Sequence, residues 1–424
     1  MSVTRPLPIP DRAESVFTYA APTLVYGSGA INDVPHALRG HDRVLIITDA
    51  GVAATGAPER VAESLRVAGH EVHVFADSHV EPTDASLQQA INAARDRGPW
   101  DAFVAVGGGS SIDTAKAVNL LTTNPGALLD YVNAPIGGGQ APTQPLKPLV
   151  AVPTTTGTGS ESTTICVLDV LDRHVKTGIS HARLRPTLAV VDPDLTTSQP
   201  PMVTASAGLD ILCHALESYT ARPYTSFEAK SAEQRVPYCG ANPVSDMWAQ
   251  RALSLMAESF VAAVRNGDDA RARADMALAA TLAGMGFGNA GVHIPHANAY
   301  PIAGRVREYR PSGYPHEEPL IPHGMAVALT APAAFRLTFE ASPERHMRAA
   351  RLLGGSGDGP DLLPTVLRRI MDDVGIPAGL HEVGYTEADI PNLVEGSMAQ
   401  QRLLALAPVE VDSDDLARVF RESL

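Results

Sequence analysis

The chain has 424 residues, a formal net charge of −14, and a composition that is 45% hydrophobic and 19% charged. This length predicts two to three domains with a large buried core. The acidic balance argues against binding to nucleic acid or anionic membranes, and no apolar run approaches the ~18 residues that span a bilayer.

The cysteines and the N-terminus predict a location. Cys166, Cys213 and Cys239 are scattered and odd in number, which favours a reducing compartment over a disulfide framework. The first residues, MSVTRPLPIPDRAESVF, lack an apolar h-region and carry acidic residues early, so they match neither a secretory signal nor a transit peptide. We expect a cytoplasmic protein.

Strand-like and helix-like segments alternate from residue 23 to about residue 199. The predicted strands are 43–49, 71–76, 101–106, 148–154, 163–170 and 186–193. The predicted helices are 58–69, 84–98 and 111–123. Strands that alternate with helices of this length indicate βαβ units and a parallel sheet.

The pattern changes around Pro200 and Pro201, after which long helices replace the strands. The predicted helices are 203–219, 245–265, 268–286 and 360–374. We therefore expect an α/β domain at residues 1–199 and an all-α domain at residues 200–424.

A glycine triplet follows a predicted strand and opens a predicted helix. Gly107, Gly108 and Gly109, with Ser110 after them, occupy this turn. Glycines there let backbone N–H groups approach a pyrophosphate, and the helix N-terminus adds a favourable field. The triplet is not the GxGxxG fingerprint, and a simple tight turn is the alternative.

Asp49 and a threonine-rich loop are further candidates for nucleotide binding. Asp49 closes the strand RVLIITD, where a carboxylate can accept both ribose hydroxyls and repel a 2′-phosphate, which favours NAD over NADP. A helix or turn cap explains this residue equally well. The loop at 153–161 also follows a strand, but it has no P-loop lysine, so nucleotide triphosphate chemistry is not indicated.

One aspartate and several histidines in the helical half suggest a metal site. Asp210 and His214 are four residues apart in a helical run, which places both side chains on one face. The window 289–324 contains His293, His296, His316 and His323. One carboxylate and two or more imidazoles suit a divalent first-row metal with an open coordination position. The alternative is a helix-start aspartate among ordinary buried histidines.

Four motifs associate the chain with a known family. They are GGGSSIDTAKA (107–117), VPTTTGTGSES (152–162), DILCHALESY (210–219) and IPHGMAVAL (321–329). Together they resemble the iron-containing, group III alcohol dehydrogenases, and the resemblance covers essentially the whole chain. Within that family, stretches such as DYVNAPIGGG (130–139), GFGNAGVHIPHANAYPI (286–302) and HEEPLIPHGMAVALTAPAAF (316–335) are most similar to the hydroxyacid-oxoacid transhydrogenases.

This resemblance implies a fold, ligands and cofactors. The implied fold is a dehydroquinate synthase-like architecture, with a dinucleotide-binding α/β domain and a helical metal-binding domain. The implied metal ligands are Asp210, His214, His296 and His323. The implied cofactor-binding residues are Asp49, Gly107, Gly108, Gly109, Ser110, Asp113, Thr154, Thr155 and Lys176. The implied cofactors are NAD and Fe(II), with Zn(II) as a competing metal.

The chain departs from the family pattern at one position. The family has a second histidine four residues after the ligand that corresponds to His296, and it is usually tied to a proton relay. Here that residue is Tyr300. His293, one turn before His296, is the natural substitute in the proton route, so His293 and Tyr300 are the catalytic candidates. The alternative for His293 is a packed core histidine.

The resemblance implies a metal-dependent oxidoreductase that passes hydride through NAD from a hydroxyacid such as 4-hydroxybutyrate to 2-oxoglutarate. One alternative is an NAD-dependent alcohol dehydrogenase that acts on alcohols or aldehydes and releases NADH. Another is a non-redox, dehydroquinate synthase-like lyase. A lyase of that kind needs phosphate-binding lysines and arginines in the C-terminal half, whereas Lys230 is the only lysine after Lys176. We expect small-molecule substrates and a homodimer.

A basic cluster in the insert between His296 and His323 suggests where an oxoacid binds. Arginine can grip a carboxylate with two parallel hydrogen bonds. The sequence therefore predicts Arg305 and Arg307, with Arg310 close by, as candidates for the substrate carboxylate. The alternative is a surface loop whose arginines pair with the neighbouring carboxylates Glu308, Glu317 and Glu318.

Overall fold

The chain folds as two compact units. The computed structural model describes residues 5–173, 175–314 and 319–424. One unit is Ala21–Ser198, and the other combines Gln199–Leu424 with the segment that ends at Ala20.

The N-terminal segment differs from the expected domain assignment, which placed it in the α/β domain. The Ala20 backbone N–H donates to Asn289 Oδ1 over 3.0 Å, and Ala13 forms an antiparallel bridge with Glu228. The backbones of Arg5 and Glu410 also form an antiparallel β-bridge. The segment belongs to the helical unit because that unit satisfies its backbone hydrogen bonds.

The described residues of the α/β unit form eight strands. They are β1 Thr23–Tyr26, β2 Arg43–Ile47, β3 Glu71–Phe75, β4 Ala102–Gly107, β5 Leu149–Pro153, β6 Ile165–Val170, β7 Val175–Ser180 and β8 Leu188–Val191. Its helices are α1 Val34–Ala37, α2 Ala50–Ala53, α3 Ala57–Val67, α4 Asp84–Arg97, α5 Gly109–Thr123 and α6 Leu128–Tyr131.

Six of these strands form the expected parallel sheet, in the order β1-β8-β5-β4-β2-β3. The strand predicted at 163–170 is the exception. It becomes β6, which pairs antiparallel with β7 in a separate two-stranded sheet. The pattern did not predict β1 or β7.

The parallel sheet is buried on both faces. Leu45 and Ile47 of β2 pack into one apolar cluster, whereas Val44 and Ile46 pack into the other. Successive side chains of a strand point to opposite faces, so the run RVLII needs helices on both sides. Parallel register also brings the carboxyl ends of β4 and β5 together, where Gly107 is opposite Pro153.

The helical unit contains ten α-helices among its described residues. They are α7 Pro201–Thr220, α8 Pro243–Arg265, α9 Ala270–Ala290, α10 Ile294–Gly304, α11 His323–Thr338, α12 Pro343–Leu352, α13 Leu362–Asp373, α14 Ile390–Met398, α15 Gln401–Leu404 and α16 Ser413–Glu422. All the helices predicted in this half are present, with bounds that differ by a few residues.

Local signals explain where the central helices begin. Pro201 occupies the first turn of α7, where its missing N–H costs nothing. Asn242 caps α8 by accepting the Ser245 N–H, and Asp269 caps α9 by accepting the Ala272 N–H. Helices α7, α8 and α9 pack against one another, and α7 also packs against α11.

Among the residues that the structure describes, each helix is too short or too polar to cross a lipid bilayer.

Candidate active site

The glycine triplet connects β4 to α5, as the sequence predicted. Gly108 is the residue before the helix, and no side chain caps the first amides of α5. Four N–H groups at a helix start have no partner within the helix. The turn therefore offers donors and a positive field to an anion such as a pyrophosphate.

The glycines also let two loops pack closely. A Cβ at Gly109 would lie 2.6 Å from Thr158 Cγ2, and a Cβ at Gly108 would lie 3.0 Å from Thr155 Oγ1. At Gly107 it would collide with the Ser111 side chain. Nucleotide binding and the packing of the two loops thus both require residues without a side chain at this turn.

Asp49 caps a short helix and also contacts α5. Its Oδ1 accepts the Val52 N–H over 3.0 Å, and its Oδ2 accepts the Ser111 hydroxyl over 3.0 Å. The cap that the sequence left as an alternative is therefore present. Each carboxylate oxygen has two lone pairs, so these contacts leave acceptor capacity for ribose hydroxyls.

Asp113 is engaged within the unit. Its Oδ1 accepts the Ser160 hydroxyl over 2.5 Å, and its Oδ2 accepts the Val167 N–H over 2.9 Å. The fully buried Lys116 ammonium lies 3.2 Å from the same carboxylate. These contacts tie α5 to the threonine-rich loop and to β6.

Lys176, Thr154, Thr155 and Ser110 lie around the same loops. Lys176 is buried and pairs with Glu81 and, over 3.5 Å, with Asp169. The Thr154 N–H donates to the Gly107 carbonyl over 3.0 Å, which joins the ends of the two loops. Ser110 Oγ accepts the Glu81 N–H over 3.1 Å.

Three helices bring the predicted metal ligands together in the helical unit. Asp210 and His214 lie one turn apart on α7, His296 is in the first turn of α10, and His323 is the first residue of α11. Asp210, His214 and His296 are all buried, and each offers one ligand atom within 4.8 Å of the others. The helices α10 and α11 also pack against each other.

Asp210 Oδ1 is at the centre of this cluster. It lies 3.5 Å from His296 Nε2, 3.6 Å from His214 Nε2 and 3.9 Å from His323 Nε2. Ligands about 2.1 Å from a tetrahedral ion are about 3.4 Å apart, so these separations fit N and O ligands around one divalent ion. Asp210 Oδ1 and His296 Nε2 are also buried without a hydrogen-bond partner, which buried polar atoms rarely are.

The charges in the cluster are strongly coupled. Burial raises the pKa of the Asp210 carboxyl, but His214, His323 and His296 outweigh it and hold that pKa below its usual range. Burial lowers the pKa of His214 to about 3. Burial also disfavours charged His296, yet Glu217 and then Asp210 raise its pKa to about 9. A fixed carboxylate among imidazoles provides a favourable environment for a cation.

Glu217 is a site residue that the sequence did not single out. It is fully buried on α7, its Oε1 lies 2.5 Å from His296 Nδ1, and its Oε2 accepts the His293 N–H over 2.6 Å. With Nδ1 bound to a carboxylate, His296 directs Nε2 towards Asp210. The spacing was a possible signal, since Asp210, His214 and Glu217 follow one another at helical intervals.

The cluster has a closed side and an accessible side. The His214 ring stacks on Phe287 at 3.8 Å between ring centres, and its side chain is 5% exposed. The His323 side chain is 25% exposed, and the Tyr300 ring lies 6.4 Å from it. A substrate therefore has access beside His323 and Tyr300.

His293 is packed in the interior of the helical unit. It is fully buried, its Nε2 lies 3.1 Å from Thr220 Oγ1, and its ring meets Phe335 edge to face. Burial lowers the pKa of His293 to about 4. These contacts match the core histidine that the sequence left as an alternative.

The two arginines predicted to bind substrate contact a different part of the helical unit. Arg305 donates to the Asn392 carbonyl, and Arg307 pairs with Asp389 over 2.6 Å and lies over the Tyr385 ring. Within the described part of the chain, neither guanidinium group contacts the metal cluster. His316, Glu317 and Glu318 lie outside the described residues.

Comparison with family models identifies the chain. Residues 21–193 match the model for iron-containing alcohol dehydrogenase, and residues 204–424 match the C-terminal model of the Fe-containing alcohol dehydrogenase family. The chain belongs to the iron-containing alcohol dehydrogenase family. It is therefore an oxidoreductase of this family, as the motifs predicted, and the lyase alternative is excluded.

Full-length relatives of this family member are mitochondrial hydroxyacid-oxoacid transhydrogenases. The bovine enzyme (Bos taurus) is 44% identical over 96% of this chain and 90% of its own length. The mouse enzyme (Mus musculus) is 44% identical over 99% and 92%, and the human enzyme (Homo sapiens) is 43% identical over 96% and 90%. The expected likeness to transhydrogenases is confirmed.

Two solved structures share the fold of this chain. A 1,3-propanediol oxidoreductase superposes with a TM-score of 0.84 at 31% identity, over 96% of this chain and all of the other. A sulfoacetaldehyde reductase from Bifidobacterium kashiwanohense, solved with NAD⁺, has a TM-score of 0.80 at 27% identity, over 96% and 98%. The expected architecture, a parallel-sheet α/β part followed by a helical part, is confirmed.

The relatives correct one expectation. Proteins 43–44% identical to this chain are described as mitochondrial, which contradicts the cytoplasmic location expected from the cysteines and the N-terminus. Free cysteines indicate a reducing environment, and that property does not distinguish the cytosol from other reducing compartments.

Proposed function

We propose that this family member is a hydroxyacid-oxoacid transhydrogenase, which passes hydride through NAD from a hydroxyacid such as 4-hydroxybutyrate to 2-oxoglutarate. The observation that carries the proposal is the buried Asp210 carboxylate, which faces three imidazoles in a chain 43–44% identical to transhydrogenases. Residues 1–199 would contain the NAD site, and residues 200–424 the metal site.

Asp210, His214, His296 and His323 would hold the metal. A divalent ion at this site, natively Fe(II) with Zn(II) as a competitor, would supply a Lewis acid for the substrate oxygen while NAD carries the hydride. Asp210 contributes the negative charge that retains a cation. Phe287 and Glu217 fix the rings of His214 and His296, so the site is organised before any ligand arrives.

The α/β unit would bind NAD through two loops. The free amides at the start of α5 would donate to the pyrophosphate, and the glycine triplet would let it approach. Asp49 would accept the ribose hydroxyls with the lone pairs that Val52 and Ser111 leave available. Asp113 would fix α5 relative to the threonine-rich loop, and Lys176 would add a positive charge beside Glu81.

We assign proton exchange to Tyr300 in preference to His293. Tyr300 lies beside His323 on the accessible side of the cluster, where its Oη can give or take a proton at the substrate oxygen. His293 is enclosed between Thr220 and Phe335, so it would act through Thr220 and through its backbone contact with Glu217. Tyr300→Phe should therefore lower turnover more than His293→Gln.

Arg305 and Arg307 remain our candidates for the distal carboxylate of the oxoacid. Both would have to exchange their present partners, and Asp389 is the competitor for Arg307. If the assignment holds, Arg307→Ala lowers kcat/KM for 2-oxoglutarate about tenfold or more and spares an uncharged aldehyde. Asp389→Asn is the control. It removes the carboxylate that pairs with Arg307, so it should not lower kcat/KM for 2-oxoglutarate. Equal losses on both substrates would make Arg307 a loop anchor.

The transhydrogenase proposal differs from an ordinary alcohol dehydrogenase in the fate of the cofactor. The purified protein is incubated with 4-hydroxybutyrate and 2-oxoglutarate without added NAD. Succinic semialdehyde and 2-hydroxyglutarate should appear in equal amounts, with no rise in absorbance at 340 nm. Asp210→Ala should form neither product. Turnover that requires added NAD and accumulates NADH would support the alcohol dehydrogenase instead.

We also propose a homodimer. Sedimentation of the purified protein at several concentrations gives its mass in solution. A single species of the monomer mass would contradict this proposal.

A further inference from the structure

A cavity lies in the α/β unit, at the edge of the sheet opposite the glycine triplet. Its volume is about 300 Å³. Leu149 at the start of β5 and Thr187, just before β8, are among its lining residues. The triplet follows the carboxyl end of β4, so the cavity is separate from the proposed nucleotide site.

The charge of this cavity is opposite to that of the chain. Four of its ten lining residues are basic and none is acidic. The four are Lys116, Lys147, Arg183 and Arg185. Since the chain as a whole carries −14, a concave region whose charged lining residues are all basic is not explained by composition.

Two of these cations have no carboxylate partner. Within the described residues, neither Lys147 nor Arg183 has an acidic group within 4.0 Å, and the Arg183 guanidinium donates to the Pro142 carbonyl over 3.1 Å. Asn119 fixes Lys147 at the rim through both of its amide atoms, to the Lys147 carbonyl over 2.8 Å and from the Lys147 N–H over 3.0 Å. The Lys147 backbone is therefore fixed at the cavity, and the side-chain charges of the exposed residues Lys147 and Arg183 have no carboxylate partner within the described residues.

The inner wall of the cavity is attached to the threonine-rich loop. Lys116 reaches through the unit to Ser160 Oγ (2.6 Å), Thr163 Oγ1 (3.1 Å) and the Asp113 carboxylate (3.2 Å), so its ammonium group is already satisfied and its charge is paired. Arg185 Nε donates to the Ser162 carbonyl over 3.1 Å. The two residues make a rigid back to the cavity, while Lys147 and Arg183 remain at its mouth.

We propose that this cavity binds a small polyanion that carries phosphate or carboxylate groups. Several positive charges in one concave site create a strong positive potential. This potential stabilises a bound anion, and the stabilisation increases with the charge of the anion. Lysine and arginine are the side chains that bind such oxyanions through charge-assisted hydrogen bonds. A volume near 300 Å³ is at the lower limit of small-molecule sites, which suits a compact anion and excludes a dinucleotide.

The test is calorimetric titration of the purified protein with inorganic phosphate, with citrate and with chloride at matched ionic strength. Saturable binding of phosphate or citrate is expected, and the tighter ligand identifies the chemistry. Lys147→Gln combined with Arg183→Gln should weaken that binding at least about tenfold. The control combines Arg39→Gln with Arg60→Gln, two exposed positions outside the cavity, and should change it less than twofold.

Two results of the titrations would overturn the proposal. One is the absence of saturable binding by both anions. The other is an equal loss in the two double variants, because it would show a general charge effect. Hydrogen exchange then locates the ligand independently of any variant. Protection should appear at residues 143–149 and 181–187, and protection confined to other segments would also contradict the site.

Discussion

At the scale of single residues, Glu217 fixes the orientation of His296. Its two carboxylate oxygens accept from His296 Nδ1 and from the His293 N–H. In Glu217→Gln, the amide NH₂ would face one of these buried donors, so one hydrogen bond would be replaced by a repulsive contact. We expect metal affinity to fall by about 10- to 100-fold, measured as the rate of metal release to a chelator.

A matched substitution separates this effect from the loss of any buried carboxylate. Glu14 is also buried and accepts backbone N–H groups of Val16 and Lys230, without contact to the metal cluster. Glu14→Gln should therefore leave metal release unchanged. If both variants lose metal equally fast, Glu217 has no specific role in holding His296.

Asp49 combines a structural role with the proposed choice of NAD. Asp49→Asn retains the helix cap, because asparagine is also a good N-cap residue, but removes the charge that would repel a 2′-phosphate. We expect the ratio of NADP to NAD binding to rise in Asp49→Asn without loss of thermal stability. Asp49→Gly should raise the same ratio and lower the melting temperature, since it also loses the hydroxyl contact from Ser111.

Fluorescence titration with the two reduced cofactors measures this ratio, and calorimetry measures the stability. A wild-type protein that already prefers NADP would contradict the placement of Asp49 at the ribose.

At the scale of elements, the close approach of α7 and α11 positions His323. A Cβ at Gly324 would collide with the Ser206 carbonyl and lie 2.8 Å from Asp210 Cβ. Both neighbours belong to α7, and a backbone atom cannot rotate away. Gly324→Ala should therefore displace the start of α11, lower the free energy of unfolding by about 1–3 kcal/mol and release the metal more readily.

Gly304 provides the control for this prediction. It also lies in a helix of this unit, but a Cβ there would have no neighbour within 4 Å. Gly304→Ala should be neutral or slightly stabilising, because alanine has the higher helix propensity. Metal analysis and thermal unfolding of the two variants test the pair, and identical behaviour would mean that α7 and α11 can separate without cost to the site.

At the scale of the whole molecule, buried neutral histidines make stability depend on pH. His346 is buried between Phe335 and Phe339, with its Nε2 2.9 Å from Thr338 Oγ1. Burial lowers the pKa of His346 to about 4, against the opposing effect of its hydrogen bond to Ser342. Because the folded pKa lies below the unfolded value near 6.5, the neutral form stabilises the fold above pH 6.5, and this contribution is lost as the pH falls towards 4.

The expected loss from His346 alone is about 2 kcal/mol between pH 7 and pH 5. At pH 8, His346→Gln should have a lower melting temperature than the wild type. Because this titration is absent in the variant, its melting temperature should fall less on acidification. Thermal unfolding of both proteins from pH 8 to pH 5 tests this. Parallel curves would show that His346 titrates normally in the folded state.

Much of the architecture could be predicted from the sequence because the periodicity of apolar residues is local. The run RVLIITD predicted a strand, and the glycine triplet predicted the start of the helix that follows β4. The pairing of strands is not local. β6 has the composition of a sheet strand, yet it pairs with β7, because strand composition does not specify the partner.

The same division applies to the site. Asp210 and His214 could be placed together from the sequence, since four residues make one helical turn. His296 and His323 could be added only by likeness to a family, because they come from α10 and α11, and only tertiary packing places their ring nitrogens 3.5 and 3.9 Å from Asp210.

Most of the strands and long helices, the motifs and the family likeness could be predicted from the sequence, because these depend on residues that are near each other in the chain. Tertiary structure alone showed that Glu217 contacts His296, that His293 is enclosed and that Lys147 and Arg183 line one cavity. Those properties depend on distances between residues far apart in sequence, which the packing of helices and sheet sets.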